Sequence, residues 1–315
     1  MSQNIIEYLR EESINNLFQT KGFNAAWPIW KTKIKELAST PTASQILSLG
    51  DYLKDIFFTT NTSSARSQSD VSGGGANWEA LVCWYLNLCS IGRRTVIIKH
   101  SNKLIPEPIS NAITVNYGSF ISNTESDLVA ITFPQKDDYI IDKNNIDIKD
   151  ENDNKVATST ANGKNYNLLT TLNALVTRDF GEIEIHVIQC KTNWNDNAQI
   201  PMLWDMIYSA KTFKTGITIG REGYSIADAR LFSYAFATVP TVKVERLTPK
   251  SVAVQRVRNI SGGNYWGLKT KSGVASSMKE MLERNLKSGS SENHLNTIKK
   301  GLPLLKTDYS YFKLI

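Results

Sequence analysis

With 315 residues, 41% hydrophobic and 10% aromatic, the chain has enough apolar surface for a sizeable core, which excludes a wholly disordered polypeptide and favours one compact unit. Its 36 Lys+Arg against 30 Asp+Glu give a formal charge of +6, and Cys83, Cys89 and Cys190 form no CxxC or His/Cys cluster, so neither a disulfide framework nor a zinc site is supported and a reducing cytoplasm is expected. The opening MSQNIIEYLREES does not read as a secretion signal, and the most apolar segment, 81–89, is far shorter than the roughly twenty residues a membrane helix needs.

In chain order, residues 1–57 place Ile5, Ile6, Leu9, Ile34, Leu37, Ile46, Leu49, Leu53, Ile56 and Phe57 at helical spacing. The polar run 59–75 (TTNTSSARSQSDVSGGG) is expected to be a loop. It leads into ANWEALVCWYLNLCSIG, predicted as a largely buried helix over 76–91 in which Trp78, Trp84 and Tyr85 are core residues. The β-branched runs TVIIK (95–99) and DLVAITF (127–133) read as strands, as does the alternating EIEIHVIQCK (182–191). Between them lies an acidic insertion: 146–149 and 156–160 read as a solvent-facing hairpin around DENDN, followed by a helix-like LLTTLNALV at 168–176. A helix over 200–213, with Pro201 in its first turn, and a strand over 231–239 complete the pattern. The expected fold is α/β, a mixed central sheet flanked by helices with a helical N-terminal part. Its regions are 1–75, a core of 76–245 with an insertion at 135–180, and a basic 246–315, all in one compact unit.

Charge is unevenly placed. Seven lysines and arginines and no acid fall between Arg246 and Lys279, enough to account for the net excess, whereas seven acids and four lysines fall between Lys136 and Lys155. The basic segment also carries SGGNYWG (261–267), which is either a tight turn with a packed Trp or a loop suited to reading a polyanion through Asn264 and Tyr265. Arg256 and Arg258, at strand-like spacing, are expected to point to one side, with Lys269 and Lys271 adding positive charge.

Strand alternation carries chemistry. Asp127 opens one strand, and Gln189 and Lys191 lie two apart on the next, sharing a face with Ile185 and Val187, so polar ends can cluster at one sheet edge above packed apolar stems. Hydrolysis of a phosphodiester needs hard oxygen ligands for a divalent cation and a positive group beside the nucleophile. With Glu79 in NWEAL, Asp127 in ESDLVAI and Gln189-Cys190-Lys191 in VIQCK, followed by a helix, residues 76–240 resemble the PD-(D/E)XK nuclease superfamily with its αβββαβ core. The type II restriction endonucleases are the branch they look most like.

The resemblance implies that Asp127, Glu79, Gln189 and the backbone carbonyl of Cys190 coordinate Mg²⁺. Lys191 would orient or deprotonate the attacking water, and the products would carry 5′-phosphate and 3′-hydroxyl ends. It further implies double-stranded DNA as substrate, a homodimer, a cognate methyltransferase and a bacterial cytoplasmic setting. A structure-specific repair or recombination nuclease and a catalytically lapsed DNA-binding protein are the alternatives. Two departures stand out: Gln189 occupies the position of the family's usual acid, and 64 residues separate Asp127 from Lys191. Asp179, in TRDFG, is a competing acid closer to Gln189 in sequence. Cys190 and His186 read as structural, and the SGGG at 72–75 as a weak phosphate-binding candidate ahead of the helix.

Overall fold

The β-branched runs do form strands. The computed structural model describes residues 3–60, 68–118, 121–122, 126–160, 162–192, 217–239, 248–267 and 273–315. In chain order the strands are β1 (Thr95–Lys99), β2 (Val115–Tyr117), β3 (Ile121–Ser122), β4 (Leu128–Thr132), β5 (Glu184–Lys191), β6 (Ile217–Ile219), β7 (Leu231–Thr238) and β8 (Tyr265–Trp266). The main sheet has the order β1-β4-β5-β7-β8 among the described residues, and β2, β3 and β6 form a smaller second sheet that the sequence pattern did not reveal. In the main sheet β1 and β5 flank β4 antiparallel, while β7 runs parallel to β5 and to β8. A parallel β5–β7 pair requires a crossover, and the predicted 200–213 helix lies outside the described residues.

The helices are α1 (Ile5–Gln19), α2 (Lys21–Leu37), α3 (Ala43–Ser48), α4 (Leu53–Phe58), α5 (Gln68–Cys89), α6 (Glu107–Ala112), α7 (Leu168–Asp179), α8 (Val252–Ile260), α9 (Met278–Arg284) and α10 (His294–Gly301). The helical reading of the N-terminal region is met, with α3 opened by a capping box between Thr42 and Gln45. One face of the sheet, through Ile97, Leu128, Ala130 and Ile188, packs with α2, α5 and the C-terminal segment. The other, through Val129, Ile131, Ile185 and Val187, packs with α6 and α7. All three regions expected from the sequence contribute to both cores.

Several local expectations are corrected. The helix predicted over 76–91 begins earlier, at Gln68, so residues 68–75 are helical, including the glycine run 73–75. Each glycine costs a helix about 0.5–1 kcal/mol, but extending a helix already nucleated by a buried segment is far easier than starting one. The SGGG amides therefore lie within a helix and do not open one. The 146–160 insertion keeps a hairpin's course through one isolated bridge, Lys149 with Lys155, but Ile146, Ile148 and Val156 are buried, so its inner side belongs to the core. Arg256 and Arg258, read at strand-like spacing, lie instead on helix α8: Val254 is buried, with Val257 and Ile260 packed beside it at three-residue spacing, the period of a helix.

The outer edge of β1 is covered by side chains. Arg10 Nη1 donates to the carbonyl of Thr95 at 2.9 Å and Ser13 Oγ to that of Ile97 at 2.9 Å, both from α1. From α5, Asn87 Nδ2 donates to Ile97 O at 2.7 Å while its Oδ1 accepts from Ile97 N at 3.1 Å. An edge strand otherwise exposes unpaired amides and carbonyls; here they are satisfied within the fold.

At the C-terminal side, His294 is fully buried, with Nδ1 3.3 Å from Glu283 Oε1. Burial, reinforced by Arg93, pushes the imidazole from 6.5 down to about 3. Because the unfolded chain takes up this proton first, the contribution to stability is complete above about pH 6.5 and is lost as pH falls toward 3. His294→Gln is expected to flatten the fall of the urea midpoint between about pH 6.5 and 4, measured against the wild-type protein.

Candidate active site at the end of the main sheet

Four segments end together. Backbone pairing carries β1 past its last residue, His100 N donating to Asp127 O at 3.0 Å, and Lys99 stands opposite Leu128. Leu128 in turn faces Ile188, so continuing that register by one residue sets Asp127 against Gln189. The Asp127 carboxylate then takes over from the backbone ladder: Cys190 N donates to its Oδ2 at 2.7 Å. A carboxylate closing a strand end with an amide is well oriented and leaves little rotamer freedom.

Helix α5 is fixed over the same edge. The indole of Trp78 donates to Ala237 O at 3.2 Å, and Ala237 is the register partner of Cys190. This pins the neighbouring Glu79, which is half-buried and paired with Lys99 Nζ at 3.0 Å. Lys191, half-buried, ends β5 opposite Thr238, and its carbonyl accepts from Val239 N at 2.9 Å. Gln189 is 1% exposed.

Cys190 marks the meeting point. Burial pushes its thiol well above the ordinary range; the Asp127 and Glu79 carboxylates push the same way, while Lys191 and Lys99 pull against them. Two acids and two lysines from α5, β1, β5 and the approach to β4 therefore act on one strand end. The thiol itself is buried and held protonated, as its reading as a core residue anticipated. The sequence spacing of Asp127 and Lys191 is thus spanned by the antiparallel β4–β5 pair, with the insertion and α7 looping out between them.

The oxygen donors here are two carboxylates, the Gln189 amide and the Cys190 carbonyl, which suit a hard cation such as Mg²⁺. Among the described residues no group of three or more His, Cys, Asp or Glu could hold a metal ion, so a cation at this strand end would need the amide and carbonyl oxygens beside the two carboxylates. Asp179, the competing acid, is excluded by position: it ends helix α7, near the start of β5, and is clamped by Lys136 and Arg178 at 2.7 Å and Tyr139 at 3.2 Å. His186, also structural, is fully buried with Nδ1 2.6 Å from Ser233 Oγ. Its Nε2 lies 3.8 Å from Glu184, beyond hydrogen-bond reach, so this row of Ser, His and Glu is not a nucleophilic triad.

The expected polyanion contacts divide. Arg256 and Arg258 are both exposed, but two residues apart on a helix they are separated by about 200° and do not share a side. Arg258 Nη1 is engaged with Gly273 O at 2.9 Å. Asn264 is tied to β7, its Nδ2 donating to Tyr234 O at 3.3 Å and its carbonyl accepting from Phe236 N. Tyr265 is 4% exposed within β8, so the packed-turn alternative describes it and a base-contacting role does not. Lys269 and Lys271 lie outside the described residues.

Gly267 brings β8 against the site. Its φ is +123°, and a Cβ there would lie 1.8 Å from Thr238 O, the residue beside Lys191 in the sheet. Gly267→Ala is expected to lower stability by at least about 3 kcal/mol, read by urea denaturation, because the backbone itself must move.

Sequence reasoning missed Lys99. The available signal was a charge closing the wholly buried strand TVIIK, where an unpaired ammonium is unfavourable and a partner is required. No family model matches this chain, nor does any curated protein or solved structure.

Proposed function

We propose that the protein is a Mg²⁺-dependent phosphodiester hydrolase acting on double-stranded DNA, of the restriction-endonuclease type. What supports this reading is that Asp127 bonds the Cys190 amide at the end of the mixed sheet, that Glu79 and Lys191 act on the Cys190 thiol from α5 and from the next residue of β5, and that Gln189 precedes it. The α/β fold around it, a mixed five-stranded sheet flanked by helices, supports the reading at the level of fold class.

In this reading Asp127, Glu79, the Gln189 amide and the Cys190 carbonyl hold the ion. Bound Mg²⁺ supplies charge neutralisation at the scissile phosphate and a more acidic water. The chain's own groups do the rest. Cys190 N–H fixes the Asp127 carboxylate, the Trp78–Ala237 bond fixes the helix that bears Glu79, and Lys191 places positive charge beside the attacking water and the developing phosphorane. Gln189 contributes no charge, so the two carboxylates carry the whole anionic part of the donor set.

Among the described residues no helix is long and apolar enough to cross a membrane. A homodimer on a two-fold DNA site, a methyltransferase of matching specificity and a bacterial cytoplasmic location belong to the same proposal.

Incubation of supercoiled plasmid with protein and Mg²⁺ tests it. Discrete fragments with 5′-phosphate ends are expected. Cutting confined to branched or damaged substrates replaces it with a repair role, and a mobility shift without cutting replaces it with a lapsed DNA-binding protein. Arg256, exposed and with positive charge to give, serves the DNA contact: Arg256→Ala should reduce the slope of log affinity against log salt by about one, with little effect on cleavage position.

A further inference from the structure

Lys99 belongs to the candidate site yet plays no part in the scheme above. It is 8% exposed at the end of β1, opposite Leu128 and one residue from the Asp127 backbone pairing. Its ammonium is bound twice by α5, to Glu79 Oε2 at 3.0 Å and to Ala76 O at 3.2 Å. A largely buried ion pair recovers little beyond its desolvation, so an apolar residue would serve the fold about as well. What distinguishes Lys99 is that its partner is one of two carboxylates in the donor set.

We infer that Lys99 is a resident counter-cation, which balances Glu79 when no metal is bound and which a divalent ion must displace from that carboxylate. This rests on the nuclease reading and adds a positioning and regulatory role to it. Asp127 and Glu79 both act on Cys190 at the end of β5, where Lys99, paired with Glu79, and Lys191 act with the opposite sign and Gln189 carries no charge. The Lys99–Ala76 bond keeps the ammonium attached to α5 near Glu79, so it can yield the carboxylate without leaving the site. The consequence is a raised threshold for metal: the ion enters against a local positive charge and has to win Glu79 from it. Cleavage then requires a higher Mg²⁺ concentration than the same carboxylates would without Lys99.

The test is Mn²⁺ binding to full-length protein without DNA, followed by loss of the free-ion electron paramagnetic signal. Lys99→Met should bind Mn²⁺ about tenfold more tightly than wild type, because a unit charge a few ångströms from the ion has been removed. Lys99→Gln, which keeps a donor for Ala76 O and Glu79, should show the same direction, and serves if the Met variant fails to fold by circular dichroism. Lys99→Arg, keeping the charge, should restore wild-type affinity; a merely structural role predicts no such dependence on charge. Unchanged or weaker Mn²⁺ binding in a folded, charge-free variant overturns the inference while leaving the nuclease reading intact. Wild-type protein that binds no Mn²⁺, or binds it equally well as Asp127→Asn, overturns the nuclease reading and this inference with it.

Discussion

Lys191→Ala and Asp127→Asn are each expected to reduce plasmid cleavage by at least about a thousandfold while leaving DNA binding intact, measured by single-turnover cleavage beside a mobility-shift titration. The two act by different routes. Lys191 ends β5 on the face shared with Gln189 and forms no part of the β4–β5 pairing, and in the proposed function its charge supports the transition state. Its removal should lower the cleavage rate with metal affinity little changed. Asp127 accepts the Cys190 amide at 2.7 Å and in the proposed function supplies half of the anionic donor set. Asparagine retains an oxygen for that amide, so the fold should survive, but the lost charge should weaken metal binding, and raised Mg²⁺ should recover part of the activity. Unimpaired cutting by either variant would remove the proposed site.

Arg10→Ala is expected to destabilise the fold by about 3–5 kcal/mol in urea denaturation, with an unchanged denaturant slope. Arg10 is fully buried, donating to Thr95 O at 2.9 Å, to Arg93 O at 2.7 Å and through Nε to Glu7 Oε2 at 2.9 Å. Truncation strips partners from two carbonyls along the β1 edge and from a carboxylate whose other oxygen accepts Gly92 N at 3.0 Å. Each buried polar group left without its bond carries its own desolvation penalty, so the loss exceeds that of one contact. Arg10→Lys should recover little, since one ammonium does not reproduce the fork that spans these acceptors.

Much of this was legible in the sequence where the signal was local. The β-branched runs at 95–99 and 127–133 and the alternation of 182–191 are strands because their side chains suit a pleated, buried surface, and α7 follows from apolar residues recurring at helical spacing. Alternation also put Gln189 and Lys191 on one face, as the β5 backbone requires. The strand-like spacing of Arg256 and Arg258 misled for a local reason: two residues two apart fit a strand by themselves, and the burial of Val254, with Val257 and Ile260 beside it, decided for a helix. Tyr265 was ambiguous for a related reason, since an aromatic in a glycine-rich turn serves a groove or a core equally well until the neighbouring strand is known.

The sequence by itself determined four strands of the main sheet, the N-terminal helical region, the buried part of α5, α7 and the polar residues that close one strand end, because each is written in the spacing of near neighbours. Only the tertiary structure decided that Lys99 pairs with Glu79, that Asp127 caps Cys190, and that Arg10, Ser13 and Asn87 cover the β1 edge. Most of those bonds join residues 20 or more apart in the chain, and Arg10 reaches a carbonyl 85 residues away. Periodicity does not encode such meetings: they depend on which strands pair, in which register, and on the helix that the packed core holds across them.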